Sequence, residues 1–236
     1  MDRCYVMCYI LHITMLSTLS GKPRIGNLRQ QVKERLRAGI ISGEIEAAQL
    51  YTVATFTERL GVSATPIREA LFDLANEGLV EVFRNRGFRV VALTQHDLDE
   101  IFELRLLLEV PSMARLAGRI GTDEMQALYA RAEQIETYAI AGDVAQFLET
   151  DRRFHLRLLG LLENRRLCEI VGRLRDQSRL YGIPKLVGSA DFITSAKEHR
   201  AILDSLKDDR ADVVQALMTR HLKHTRGIWA GLREGG

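Results

Sequence analysis

The chain is short of cysteine, of net charge and of any motif that carries a nucleophile. Only Cys4, Cys8 and Cys168 occur in 236 residues. An odd set of three excludes a disulfide framework and reads as a protein of a reducing cytoplasm. Cys4 and Cys8 lack the second pair that a zinc ribbon needs, so their spacing does not call for a metal. A net charge of +2 provides no general attraction for a polyanion. Its distribution is more telling: residues 1–93 carry 12 Lys/Arg against 9 Asp/Glu, and the rest carry 21 against 22. A mildly basic first part and a neutral second part are compatible with a nucleic-acid-binding half followed by a half of another kind. Internal repeats and low-complexity runs are also missing, which excludes solenoids and long linkers. What remains, 46% apolar and 27% charged residues, is an ordinary globular composition with room for one large domain or two modest ones.

The most informative stretch runs from Thr55 to Val91. Phe56-Thr57-Glu58-Arg59-Leu60 is a short helical piece that ends at Gly61, which can take the tight turn between two helices. Thr65 then reads as an N-cap, with Pro66 in the first helical position and Arg68-Glu69 in the first turn. Ile67, Ala70, Leu71, Leu74 and Ala75 form one apolar stripe at helical spacing, and Gly78 stops the helix. Leu79–Phe83 and Gly87–Val91 alternate as two strands around Arg84-Asn85-Arg86-Gly87. Helix, turn, helix and basic-tipped hairpin outline a winged helix-turn-helix. Such a module places its second helix in a DNA major groove and the hairpin tip against the backbone or minor groove. Upstream, Leu28, Val32, Leu36 and Ile40 recur every fourth residue and give the first helix of the module.

These residues resemble the GntR family of bacterial transcription regulators. Gly61 to Leu71, Glu77 to Val80 and Asn85-Arg86-Gly87 match the family's Gly-Val-Ser-x-Thr-Pro-Val-Arg-Glu-Ala-Leu run, Glu-Gly-Leu-Val strand and Asn-x-Gly wing almost residue for residue. Ser42-Gly43-Glu44-Ile45 matches the turn after the first helix. The resemblance implies double-stranded operator DNA as partner, with Thr65, Arg68, Arg84, Asn85, Arg86 and Gly87 as the contacting residues. Arg29 and Arg35 are more distant candidates. Family members commonly carry arginines where this chain has Ala54 and Ala64. Loss of a phosphate contact weakens binding broadly, and loss of a guanine-reading arginine changes the preferred sequence.

After Leu93-Thr94 no strand-like alternation occurs. Thr94 can cap a helix with acid in its first turn, and the punctuation predicts helices over about 96–119, 123–141, 143–163, 165–181, 190–206 and 209–231. Pro111 is a candidate break in the first of them, and Gly182 to Ser189 separates the fourth from the fifth. The expected fold is therefore mainly α: a winged helix-turn-helix over 24–93, then an all-helical bundle of six or seven helices over 94–232. Within the bundle Asp151 and His155 stand four apart on one helical face, Glu198-His199 lies on the fifth helix, and His221 and His224 lie on the sixth. Taken singly, each histidine reads as partly buried with a hydrogen-bond partner. Glu198 points off the face of His199, because neighbouring residues in a helix do not share a side.

The order Asp-x-x-Phe-His, Glu-His and Arg-His-Leu, with Glu103-Leu104-Arg105 and Glu163-Asn164, is similar to the FCD ligand-binding domain of FadR-type GntR regulators. That resemblance implies a divalent metal ion held by Asp151, His155, His199 and His221, with His224, His96 and His12 as bystanders. One carboxylate and three imidazoles suit zinc or nickel and leave positions for a small carboxylate effector. Arg105 and Asn164 are the candidate effector contacts, Arg105 having an interhelical salt bridge with Glu109 or another carboxylate as its alternative. The function expected is a cytoplasmic, homodimeric, ligand-responsive regulator that represses transcription. Two other readings stay open: a metal-dependent hydrolase, for which no general base stands at motif spacing, and a regulator with a purely structural metal. Cys4–Leu19 loosely imitates a signal peptide but is short for a membrane span and is interrupted by His12 and Thr14. No membrane partner is expected. Residues 1–23 read as a disordered or over-extended start, with Met15 the expected initiator.

Overall fold

The structure, a computed structural model, describes residues 28–179 and 190–230. The N-terminal extension with Met15 and the break from Gly182 to Ser189 lie outside the described residues. The chain divides between Ala92 and Leu93 into two compact units.

The first unit contains α1 (Leu28–Ile41), β1 (Leu50–Tyr51), α2 (Val53–Leu60), α3 (Ala64–Asn76), β2 (Val80–Phe83) and β3 (Gly87–Val90). Its sheet has the order β1-β3-β2, all antiparallel, with Val80 opposite Val90 and Tyr51 opposite Phe88. The sequence pattern indicates only the β2–β3 hairpin; a two-residue strand is too short to show a period. Helix α2 starts earlier than its apolar spacing suggests, because the Thr52 side chain accepts from the Thr55 amide and caps it. It ends at Gly61, whose φ of 63° is left-handed. The next boundary differs too: Ser63, not Thr65, occupies the N-cap of α3, which leaves Thr65 exposed in the first turn. Ile67, Ala70, Leu71 and Leu74 bury the predicted stripe against Val32, Leu36 and Ile40 of α1 and against the sheet. Tyr51, Phe56 and Phe88 close the core with ring centroids 5.3 to 5.8 Å apart.

The second unit is helical: α4 (Gln95–Ala114), α5 (Thr122–Ala141), α6 (Val144–Gly160), α7 (Arg165–Ser178), α8 (Ala190–Lys207) and α9 (Ala211–Ala230). Thr94 opens α4 with a reciprocal capping box to Asp97. Pro111 does not break α4. Its ring removes a bond to the Leu107 carbonyl, and Leu107 is exposed, where water can satisfy that group. The helix instead ends before the turn that reaches Gly118, whose amide donates to the Leu206 carbonyl of α8 (2.9 Å). The core gathers Met113, Ile135, Phe154, Leu158, Ile202 and Leu222, one stripe from each of several helices. Among the described residues no helix is long and apolar enough to cross a membrane.

Candidate metal centre and nucleic-acid interface

The face of α6 that carries Phe147, Phe154 and Leu158 also carries Asp151 and His155, so the packing that buries the apolar residues takes the two polar ones inside. Helices α8 and α9 bring His199 and His221 to the same point. Each of the four residues offers a donor atom, and the four atoms lie within 4.8 Å of one another. His199 Nε2 is 2.9 Å from Asp151 Oδ1 and 3.2 Å from His155 Nε2; His155 Nε2 is 3.5 Å from Asp151 Oδ1. Donors around one cation at bond lengths of about 2.0–2.2 Å stand roughly 3–4 Å apart, so the separations among Asp151, His155 and His199 fit a metal.

Two of the remaining ring nitrogens support the same reading. His199 Nδ1 sits 2.9 Å from the Ala196 carbonyl, and His221 Nδ1 sits 2.8 Å from Glu198 Oε2. A carbonyl and a carboxylate only accept, so both Nδ1 atoms carry the proton, and in the neutral rings Nε2 is a bare lone pair aimed at the cluster. His155 Nδ1 is buried without a hydrogen-bond partner among the described residues. Burial, reinforced by Arg175, pushes the His155 imidazole well below its ordinary value, and burial lowers that of His221. Neutral rings are the form that binds metal. Burial by itself would raise the Asp151 carboxyl; the Arg179 guanidinium on Oδ2 is among the groups that outweigh it and hold the carboxyl well below the carboxylate range. One anionic oxygen and several lone pairs converging in a dry interior repel one another unless a cation stands between them.

Asp151 divides its oxygens. Oδ1 faces the imidazoles, whereas Oδ2 takes Arg179 and Arg175, the latter at 3.3 Å. Arg175 also donates from Nη2 and Nε to Glu109 Oε2 (2.5 and 2.9 Å), and Arg105 donates from Nε to Glu109 Oε1 (2.7 Å). Glu109 is fully buried. Desolvation alone would raise its pKa, but Arg105 and Arg175 bring it down to about 2. A cavity of about 20 Å³ adjoins the cluster, with Arg105, Asp151, Arg175, Arg179, Ser195 and His221 among its walls. That is room for one water molecule.

Several expectations need correction. Arg105 does face the cavity, and it is also paired with Glu109, within its own helix. Asn164 does not join it: its side chain is exposed and accepts from the Leu167 amide (3.1 Å), capping α7. Glu198 leaves the face of His199 as expected, but that direction leads to α9, where its oxygens meet His221 and His224. His224 is thus not among the four converging donors, yet it has a carboxylate partner. The sequence motifs do not single out Arg175 and Arg179. Their signal was present, since Val171, Arg175 and Arg179 succeed one another at intervals of four and continue a buried stripe.

In the first unit, Thr65, Arg68, Arg84, Asn85 and Arg86 are all exposed. Arg68, Arg84 and Arg86 have no ion pair among the described residues, whereas Arg29 is bidentate to Asp73 (2.5 and 2.9 Å) and Arg37 is held by Glu77. The wing turns through Asn85 (φ 60°) and Gly87 (φ 127°). A Cβ on Gly87 would lie 1.9 Å from the Tyr51 carbonyl oxygen, so the wing requires glycine there. Between α3 and the wing lies a depression of about 430 Å³ whose walls include Arg68, Phe72, Val82, Arg84 and Arg86.

A family model described as the FCD domain matches residues 100–224, and one described as bacterial regulatory proteins, gntR family, matches residues 28–90. The chain is 32% identical over 167 residues to the Nta operon transcriptional regulator of Aminobacter aminovorans, covering 70% of this chain and 77% of that one. It is 25% identical over 195 residues to the HTH-type transcriptional regulator YdhC of Bacillus subtilis, covering 82% and 87%. The solved structure of E. coli McbR/YncC shares the fold with a TM-score of 0.78 at 22% identity, covering 88% of this chain and 99% of that one.

Proposed function

The chain belongs to the GntR family of bacterial regulatory proteins and carries an FCD domain, and from that premise we propose a cytoplasmic repressor whose hold on operator DNA is set by a small carboxylate bound beside a divalent cation. The observation that carries the reading is the convergence of Asp151, His155, His199 and His221 next to an arginine-walled cavity. Three imidazoles and one carboxylate favour zinc or nickel over magnesium or calcium. Held by these four donors in five- or six-coordinate form, the cation would supply an open position for a ligand oxygen. Arg105, Arg175 and Arg179 orient the effector, because guanidinium forks match a carboxylate in shape and charge.

The effector acts by its preference for one arrangement of the surrounding helices over another, and shifts the equilibrium between them by that difference alone. At the DNA end, Arg68 meets base edges or phosphate from α3, while Arg84, Asn85, Arg86 and Gly87 meet the backbone from the wing. Ser63 makes no side-chain bond to the start of α3, so the first-turn amides beside Thr65 are available to a phosphate. We place two such units on an inverted-repeat operator as a homodimer.

The test uses a duplex selected from a random library by the purified protein. Its affinity is measured for chelated protein, for metal-loaded protein, and for metal-loaded protein with a panel of small carboxylates. One member of the panel should weaken binding at least fivefold and raise the melting temperature in the metal-loaded protein only. Equal affinity throughout refutes the switch and leaves a structural metal. The hydrolase alternative finds no support: the relatives are transcription regulators, and Glu198, the nearest candidate base, is committed to His221 and His224.

A further inference from the structure

Glu198 is adjacent in sequence to His199 but lies outside the four converging donors. It is nearly buried, and both of its oxygens are directed at α9. Oε2 is 2.8 Å from His221 Nδ1; Oε1 is 3.3 Å from His224 Nδ1 and 3.5 Å from Arg220 Nε. His221 and His224 stand three apart on one face of α9, so a single carboxylate reaching across from α8 touches both. Nothing else among the hydrogen bonds of the described residues holds the His221 ring, whereas the His199 ring is held by the backbone of its own helix. Of the two rings, only His221 therefore depends on a removable side chain for its tautomer and orientation.

We infer that Glu198 is a positioning residue for the metal centre: it fixes His221 with Nδ1 protonated and Nε2 turned toward Asp151, His155 and His199. The inference rests on the cation reading above. A carboxylate behind a ligating imidazole sets the ring's tautomer and raises its basicity, and removal of such a partner lowers metal affinity about 10- to 100-fold. His224 shares the same carboxylate through the other oxygen, so its removal leaves the His221 bond in place. The two contacts thus separate positioning from packing.

Zinc affinity, measured by competition with a chromophoric chelator, would be compared for wild type, E198Q and H224A, together with nitrogen-15 spectra of the histidine rings in metal-free protein. The amide introduced by E198Q keeps the volume of the side chain but accepts or donates equally well, so it no longer dictates a tautomer. The expected result is a 10- to 100-fold loss of zinc affinity in E198Q and a mixed His221 tautomer in its metal-free spectrum, with H224A within about twofold of wild type. Equal affinity in E198Q with an unchanged tautomer overturns the role of Glu198 alone. An equal loss in H224A also overturns it, by assigning the effect to packing. A wild type that takes up no zinc overturns the cation reading together with this one.

Discussion

Replacing Glu109 with glutamine would probe the charge arrangement behind the metal centre with little change in shape. The carboxylate is fully buried and accepts three bonds from two guanidiniums, Arg105 on its own helix and Arg175 on α7. The E109Q side chain keeps the volume but removes the negative charge. The amide oxygen still accepts from one guanidinium, but Arg105 then has no anionic partner among the described residues, with Ser178 at 3.4 Å, and Arg175 has only Asp151, at 3.3 Å. Removing one member of a buried ion cluster costs about 3–5 kcal/mol, because the charges left behind stay desolvated. For a helical unit of this size that lowers the melting temperature by about 10–15 °C. The pH dependence is a stricter test. Glu109 titrates near 2 in the folded chain, below its ordinary value of 4.5. A depressed folded pKa gives stability that is complete above about 4.5 and is lost as pH falls toward 2. The penalty of E109Q should therefore shrink by about 2 kcal/mol between pH 7 and pH 3. Urea unfolding of both proteins across that range, followed by circular dichroism, is the assay. A penalty below about 1 kcal/mol at pH 7, or one that is the same at both ends, would refute the reasoning.

Three further outcomes are expected. Replacing both Arg84 and Arg86 with alanine should lower the salt dependence of duplex binding by about two, near 0.9 for each phosphate contact, and leave stability within about 0.5 kcal/mol; an unchanged slope removes the wing from the interface. Gly87→Ala should destabilise the first unit by about 2 kcal/mol or more, since the new Cβ meets the Tyr51 carbonyl at 1.9 Å on a backbone of φ 127°. A melt indistinguishable from wild type would contradict that wing geometry. Asn164→Ala should cost about 1 kcal/mol as a lost helix cap, with zinc uptake unchanged; a loss of zinc binding without a loss of stability would restore Asn164 to the ligand site.

Much of this protein was legible along the chain because the signals are local. Gly61 and Gly78 flank α3, Thr94 caps α4, and the stripes of α1 and α3 recur at the helical interval. Each of these depends on residues within a turn or two of one another, and a period of 3.6 or 2 is visible at that range. Where the local signal is thin, sequence pattern and structure differ. Two-residue β1 has no period, and Thr65 and Ser63 are both capping residue types two positions apart.

The convergence of side chains was decided elsewhere. Asp151 and His155 share a face by spacing, but their approach to His199 and His221 follows from how α6, α8 and α9 cross, which no local interval encodes. The same crossings turned Glu198 from a side chain pointing away from the cluster into one that holds His221 from behind. They also drew Arg175 and Arg179 inward, where Glu109 and Asp151 supply the opposite charge that makes their burial tolerable. Periodicity along one helix tells which residues go inside; the residues they meet there depend on the neighbouring helices.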